Sequence, residues 1–161
     1  MSSDRTGTSR KAAVSRRIMR GFRPDALAEL RRQRGLSQGE LARLAGVAPG
    51  TVNRWESGLA TPQVDLLARV ANILEIQIEE VVQIPRDERY PGDWRVIRGM
   101  TQPVAASKAG IATQVLGSME RGEISLSDNV AERVSRVLGI SVEELREAYL
   151  RVRNRPAGTS A

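Results

Sequence analysis

The 161-residue chain contains no cysteine and no histidine, and aromatic residues make up only 3% of it. The absence of cysteine excludes disulfides, thiolate metal sites and thiol redox chemistry. The absence of histidine excludes Ser-His-Asp triads, histidine-containing metal sites and imidazole pH switches. The sequence also contains no phosphate-binding loop and no recognisable pair of catalytic carboxylates. We therefore expect a protein that is not an enzyme and that binds no metal and no cofactor.

Long apolar stretches are missing as well. No run approaches the 18 apolar residues that a membrane span needs, and residues 1–30 lack the apolar segment of a secretion signal. With so few aromatic residues, the core must be built mainly from Leu, Val, Ile and Ala. We expect a soluble, cytoplasmic, nucleoid-associated protein with no membrane partner.

The net charge of +6 is unevenly distributed along the chain. Residues 1–19 carry five basic groups against one acid, whereas residues 20–82 carry eight groups of each sign. This pattern predicts a basic, flexible arm over residues 1–20, in which Arg16 and Arg17 are candidate contacts to nucleic-acid phosphates. The alternative is a solvated terminus that contacts nothing.

The stretch from Ser37 to Glu56 predicts two short helices joined by a tight turn. Ser37 with Glu40 three residues later is typical of a helix start. Gly46 provides the left-handed residue that ends the first helix, and Pro49 suits the first turn of the second. The apolar residues of both helices form one seam. The opposite, exposed side then consists of Pro49, Gly50, Asn53 and Arg54.

These residues resemble the Cro/C1 family (XRE family) of bacterial and phage DNA-binding regulators, over about Arg23–Val82. Both the Gly35-Leu36-Ser37-Gln38 start and the Trp55-Glu56-Ser57-Gly58 end are as that family has them. The resemblance implies an all-α fold with a five-helix, lambda-repressor-like domain at 21–82. It further implies that a recognition helix at 49–57 enters the major groove of double-stranded DNA.

The same pattern occurs twice. When residues 99–146 are written beneath 35–82 at a constant offset of 64, 14 of the 48 positions are identical without a gap. This predicts a second, divergent helix-turn-helix domain at 93–155, after a linker at 83–92 and before a disordered tail at 156–161. Its recognition helix is predicted at 113–121. Because Pro91-Gly92 falls within its first helix, we expect that helix to be cut to about Asp93–Arg98.

The resemblance implies that two glutamines, Gln38 and Gln102, contact phosphates at the start of the helix before each recognition helix. Arg54 can pair with guanine O6 and N7, and Gln114 with adenine N6 and N7. Asn53 and Arg54 could instead be ordinary solvated side chains. The full set of predicted DNA-binding residues in the two domains is Gln38, Pro49, Gly50, Thr51, Asn53, Arg54, Gln102, Thr113, Gln114, Gly117 and Ser118.

Two ion pairs are predicted at equivalent points of the repeat. Arg31 precedes Glu56 by the same 25 residues that separate Arg95 from Glu120. The family places an ion pair between its first helix and the end of its recognition helix at these positions. We therefore expect both pairs to hold the recognition helices in place.

Two classes of function remain at this point. The first is a sequence-specific, repressor-like transcriptional regulator that binds double-stranded DNA, without an evident small-molecule ligand. The second is an antitoxin or protein-interaction module, whose second domain dimerises or binds a partner protein. Leu145 and Tyr149 either pack internally or form a dimer interface, so the sequence leaves undecided whether the chain forms a homodimer.

Overall fold

The computed structural model describes residues 18–161, so the predicted contacts of Arg16 and Arg17 lie outside the described residues. Every regular element in the described part is a helix, which confirms the predicted all-α fold. The first half contains α1 (Pro24–Gln33), α2 (Gln38–Ala45), α3 (Thr51–Glu56), α4 (Val64–Leu74) and a 3₁₀ turn at Ile78–Glu80.

The second half repeats this arrangement. The helices α6 and α8 begin and end 64 residues after α2 and α4, as the alignment of the two halves predicts. Each half has its own apolar core. The helices of the second half are α5 (Pro91–Ile97), α6 (Gln102–Ala109), α7 (Thr113–Glu120), α8 (Asp128–Leu138) and α9 (Val142–Arg153).

The turn between the two helices of each motif has the predicted chemistry. The Oγ of Ser37 accepts a hydrogen bond from the N–H of Glu40 at 3.0 Å and so caps the start of α2. Gly46 follows the end of α2 with φ of +69°, a conformation that glycine adopts without steric cost. In the second half, Thr101 and Gly110 do the same at both ends of α6.

Two elements of the first half are shorter than predicted. The helix α3 spans Thr51–Glu56 rather than 49–57, since Gly50 acts as its N-cap. The fifth helix of the five-helix domain that the resemblance implies is only a 3₁₀ turn at Ile78–Glu80. The helical conformation ends there because Val82 forms an antiparallel bridge with Phe22, and such a bridge requires an extended backbone.

The first helix of the second half begins two residues earlier than predicted. Pro91 is the first residue of α5, where its missing N–H costs no hydrogen bond. The carboxylate of Asp93 accepts a hydrogen bond from the N–H of Tyr90 at 2.8 Å and caps this start. Burial raises the pKa of Asp93, while the Tyr90 N–H and the Arg20 guanidinium oppose that rise.

The segment predicted as a linker is folded. A 3₁₀ helix spans Arg86–Glu88, and the side chain of Ile84 is buried in the core of the first half. Arg89 is buried too, and its Nε donates to the carbonyl of Ile84 at 3.0 Å. Arg151 of α9 in turn donates to the carbonyl of Arg89 at 3.0 Å. The segment is thus attached to both halves.

The two halves also pack directly on each other. Ile97, the last residue of α5, is buried in the core of the first half. At Gly99, a Cβ atom would stand 3.1 Å from the Cβ of Ala68, so the first half packs closely against the backbone there. Arg20 of the first half forms an ion pair with Asp93 of the second. Among residues 18–161, none of the helices has the length and apolarity of a bilayer-spanning segment.

Replacing Ile97 with alanine should therefore destabilise the first half, although Ile97 belongs to a helix of the second. Cavity-creating substitutions of this kind cost about 2–5 kcal/mol. We expect a loss of that size in urea denaturation followed by circular dichroism and tryptophan fluorescence. The control is Leu150→Ala, since Leu150 is 51% exposed. A change within about 0.5 kcal/mol for Ile97→Ala would mean that the two halves do not pack together.

Candidate nucleic-acid interface

The rear of the first recognition helix, α3, is held by a buried ion pair. The guanidinium of Arg31 donates from Nε and Nη2 to the two carboxylate oxygens of Glu56, both at 2.7 Å. Its third nitrogen, Nη1, donates to the carbonyl of Leu36 at 2.8 Å. The two charged side chains are only 9% and 5% exposed. Such a two-point contact fixes the direction as well as the distance between α1 and α3.

The second recognition helix, α7, is held by an equivalent pair. Arg95 Nε lies 2.5 and 3.1 Å from the two carboxylate oxygens of Glu120. Its Nη1 donates to the carbonyl of Met100 at 2.9 Å, as Arg31 does to Leu36. The structure therefore brings both predicted pairs together, although the first helix of the second half is shorter.

Gln38 and Gln102, the two predicted phosphate contacts, each form a hydrogen bond within the chain. The Nε2 of Gln38 donates to Glu56 at 3.2 Å, and that of Gln102 donates to Glu120 at 3.3 Å. Each amide nitrogen carries two hydrogens, so one remains for a phosphate oxygen. Each glutamine thus links the start of one helix to the ion pair behind the next. Sequence reasoning missed this link, although the 18-residue spacing from Gln to Glu recurs in both copies.

The carboxylate of Glu56 stays ionised inside this network. Burial by itself would raise the pKa of Glu56, but the hydrogen bonds from Arg31 and Gln38 outweigh burial and lower that pKa. The stability that this pair contributes is therefore present above about pH 4.5 and is lost as the pH falls through the lowered pKa of Glu56.

The first copy presents its predicted reading residues to solvent. Pro49, Gly50, Asn53 and Arg54 are exposed, and Thr51 is half-buried. Within the described residues, the side chains of Asn53 and Arg54 make no hydrogen bond. They are therefore available to an external partner, while the opposite side of α3 is buried in the core.

The second copy exposes fewer of its predicted reading residues than the first copy does. Thr113 and Gln114 are exposed at the start of α7. Ser118, at the position equivalent to Arg54, is half-buried, and Gly117 is buried. The two copies therefore expose different chemistry from the same helical framework.

A second pair of arginines, which sequence reasoning also missed, supports the turns. Arg69 Nη1 donates to the carbonyl of Ala45 at 2.7 Å and so satisfies the end of α2. Arg133, 64 residues later, reaches the carbonyl of Ala109 at 3.5 Å. Their recurrence at the offset of the repeat was a signal in the sequence. The recurrence by itself did not show which carbonyl they contact.

The second copy has a set of supporting contacts, here called the brace, that has no equivalent in the first copy among residues 18–161. The C-terminal half of α9 packs on the loop after α7. There the Oη of Tyr149 donates to the carbonyl of Ile124 at 2.6 Å. Arg153 donates to the carbonyl of Gly122 at 3.3 Å. Tyr149 and Leu145 are buried in the second core, so both pack within the chain.

Comparison with known proteins agrees with this geometry. The helix-turn-helix family model matches residues 27–81 and matches again at 93–145, together about two thirds of the chain. The chain belongs to the Cro/C1-type helix-turn-helix family and contains two tandem copies of its domain. It is thus a DNA-binding helix-turn-helix regulator. No curated protein and no solved structure matches the chain.

Removing one partner of the buried pair should destabilise the chain more than removing both. Arg31→Leu leaves the carboxylate of Glu56 buried and unpaired, which costs about 3–5 kcal/mol. The double variant Arg31→Leu, Glu56→Leu should recover most of that loss. Urea denaturation of the single and double variants measures both values. If the double variant is less stable than Arg31→Leu alone, the pair does not behave as a buried ion pair.

Proposed function

We propose that the chain is a sequence-specific, repressor-like transcriptional regulator that inserts α3 and α7 into major grooves of double-stranded DNA. The observation that carries this proposal is the exposed face of α3. Asn53 and Arg54 have no partner among the described residues, while the buried Arg31–Glu56 pair fixes the helix behind them. A helix whose backbone is fixed in advance loses little backbone conformational entropy when it binds.

The residues on this face suit DNA recognition. Pro49 and Gly50 are small and lie at the start of α3, so the DNA backbone and base edges can approach closely. Arg54 supplies the long, bidentate donor that pairs with guanine. Fewer side-chain hydrogen bonds are available here than on a face rich in amides. Specificity in the first copy therefore depends on Arg54, Asn53 and the shape of the DNA.

The second copy is proposed to read different bases. Thr113 and Gln114 offer a hydroxyl and an amide at the start of α7, and the amide suits adenine. Because the two faces differ, one chain carries two unlike readers. The preferred DNA site then extends beyond one half-site and need not be palindromic.

Phosphate contacts are proposed to set the position of both readers. The side chains of Gln38 and Gln102 support this proposal. Each lies beside a recognition helix and keeps a second amide hydrogen that it can donate to a phosphate. The predicted basic arm, including Arg16 and Arg17, would add contacts that do not depend on sequence. Such contacts raise affinity without choosing a site.

A second candidate function is an antitoxin or interaction module, in which the second copy dimerises or binds a partner protein. The burial of Gly117 and the half-burial of Ser118 favour it, because they narrow the face that α7 offers to DNA. The two candidates differ in the effect of Gln114→Ala. This change weakens DNA binding only if the second copy reads DNA.

The test starts from duplexes that the full chain selects from a random library. Arg54→Ala should weaken binding by about 1–3 kcal/mol, on the order of 5- to 150-fold, and should relax the preference at one G·C pair. Arg32→Ala is the matched control, because Arg32 is an exposed arginine on α1. Fluorescence anisotropy measures the affinities. If Arg54→Ala behaves like Arg32→Ala, the proposed role of α3 is wrong.

A further inference from the structure

The second copy lacks an arginine at the position equivalent to Arg54, but it has one nearby. Ser118 occupies that position, whereas Arg121 follows the last residue of α7. The equivalent residue in the first copy is Ser57, whose hydroxyl donates back to the carbonyl of Arg54 at 3.3 Å. Each copy therefore has one arginine near the exposed face of its recognition helix, at different positions.

The side chain of Arg121 folds back over the preceding turn of α7. A Cβ atom built on Gly117 would stand 3.2 Å from Arg121 Nη1 and 3.5 Å from the Oε1 of Gln102. Residues four apart share one face of a helix, so the absent side chain at position 117 leaves room for the guanidinium. This contact explains why Gly117 is buried. It places Arg121 on the recognition face, beside the predicted phosphate contact Gln102.

The backbone that carries Arg121 is fixed by the last residue of α9 and by Arg155, which follows α9. The carbonyl of Arg121 accepts a hydrogen bond from Arg155 Nη1 at 2.9 Å. At the next residue, Gly122, a Cβ atom would stand 2.9 Å from the Cα of Arg153, so the backbones are in close contact. In the part of the chain that the structure describes, the first copy has no counterpart of this brace. Contacts within the second copy therefore fix the backbone position of Arg121.

Within the described residues, the guanidinium is hydrogen-bonded to one exposed acid. Arg121 donates from Nε and Nη2 to Glu123 at 2.8 and 3.1 Å. Within the described residues, Nη1 makes no hydrogen bond. Arg121 and Gln102 also line a cleft of about 900 Å³ that the described residues form between the two copies. An exposed ion pair is weak, so DNA can displace Glu123 at little cost.

We infer that Arg121 is the base-reading arginine of the second recognition helix and does there what Arg54 does in the first copy. This inference rests on the proposed function and names a specificity residue for it. The guanidinium is always charged and matches the two acceptors of a guanine edge. Glu123 keeps it in position on the recognition face when DNA is absent.

The test compares four variants of the full chain on the selected duplex. Arg121→Ala should weaken binding on the order of 5- to 150-fold and relax one base preference outside the segment that Arg54 governs. Gly117→Asn introduces the residue that the first copy has at Asn53. Its side chain displaces the guanidinium, so a similar loss is expected, with no further loss in the Gly117→Asn, Arg121→Ala double variant. The matched control is Arg136→Ala, which should have little effect, because Arg136 is an exposed arginine on α8.

Circular dichroism checks that the helical content of each variant is unchanged. If Arg121→Ala leaves affinity and every base preference intact while Arg54→Ala weakens binding, this inference is wrong and the proposed function stands. If Arg54→Ala also has no effect, the proposed function is wrong, and the inference about Arg121 is wrong with it. A loss that is uniform over all sequences would make Arg121 a phosphate contact, and that too would overturn the inference.

Discussion

The buried ion pair behind each recognition helix is the contact on which the rest of this structure depends. The helix α3 has only six residues, too few to be stable in water by itself. Its orientation comes from Val52 and Trp55 in the core and from the two-point contact between Arg31 and Glu56. Because both charges are buried, neither can be removed singly without a large cost. One side of α3 is thereby fixed, and the other side is left for function.

The second constraint is the junction between the copies. Ile84 and Ile97 come from segments beyond the first domain yet lie in its core, and Gly99 leaves room for the side chains of Ala68 and Ile78. Arg89 adds hydrogen bonds on both sides of the junction. Two recognition helices joined in this way have a set separation. The proposed DNA site therefore consists of two unlike segments at one spacing.

Much of this fold was predictable because its signals are local or repeated. Glycines at turns and the 64-residue offset predict α2, α4, α6 and α8, and the family resemblance at the recurring Arg and Glu positions implies both ion pairs. The junction was not predictable, because Ile97 looks like any other apolar residue until long-range packing buries it in the other core. The same holds for the site. The exposure of Asn53 and Arg54 follows from helical periodicity, whereas the position of Arg121 over Gly117 depends on a side-chain conformation.

The most direct test of this account is a spacing series. One to five base pairs are inserted into or removed from the duplex that the full chain selects, between the DNA segment read by Arg54 and the segment read by the second copy. The affinity of the chain for each duplex is then measured at constant salt. The account predicts a single preferred spacing. Every other spacing should reduce the affinity to that of a duplex carrying only the first segment. An affinity that does not depend on spacing would contradict it, since the two copies would then not read DNA as one rigid unit.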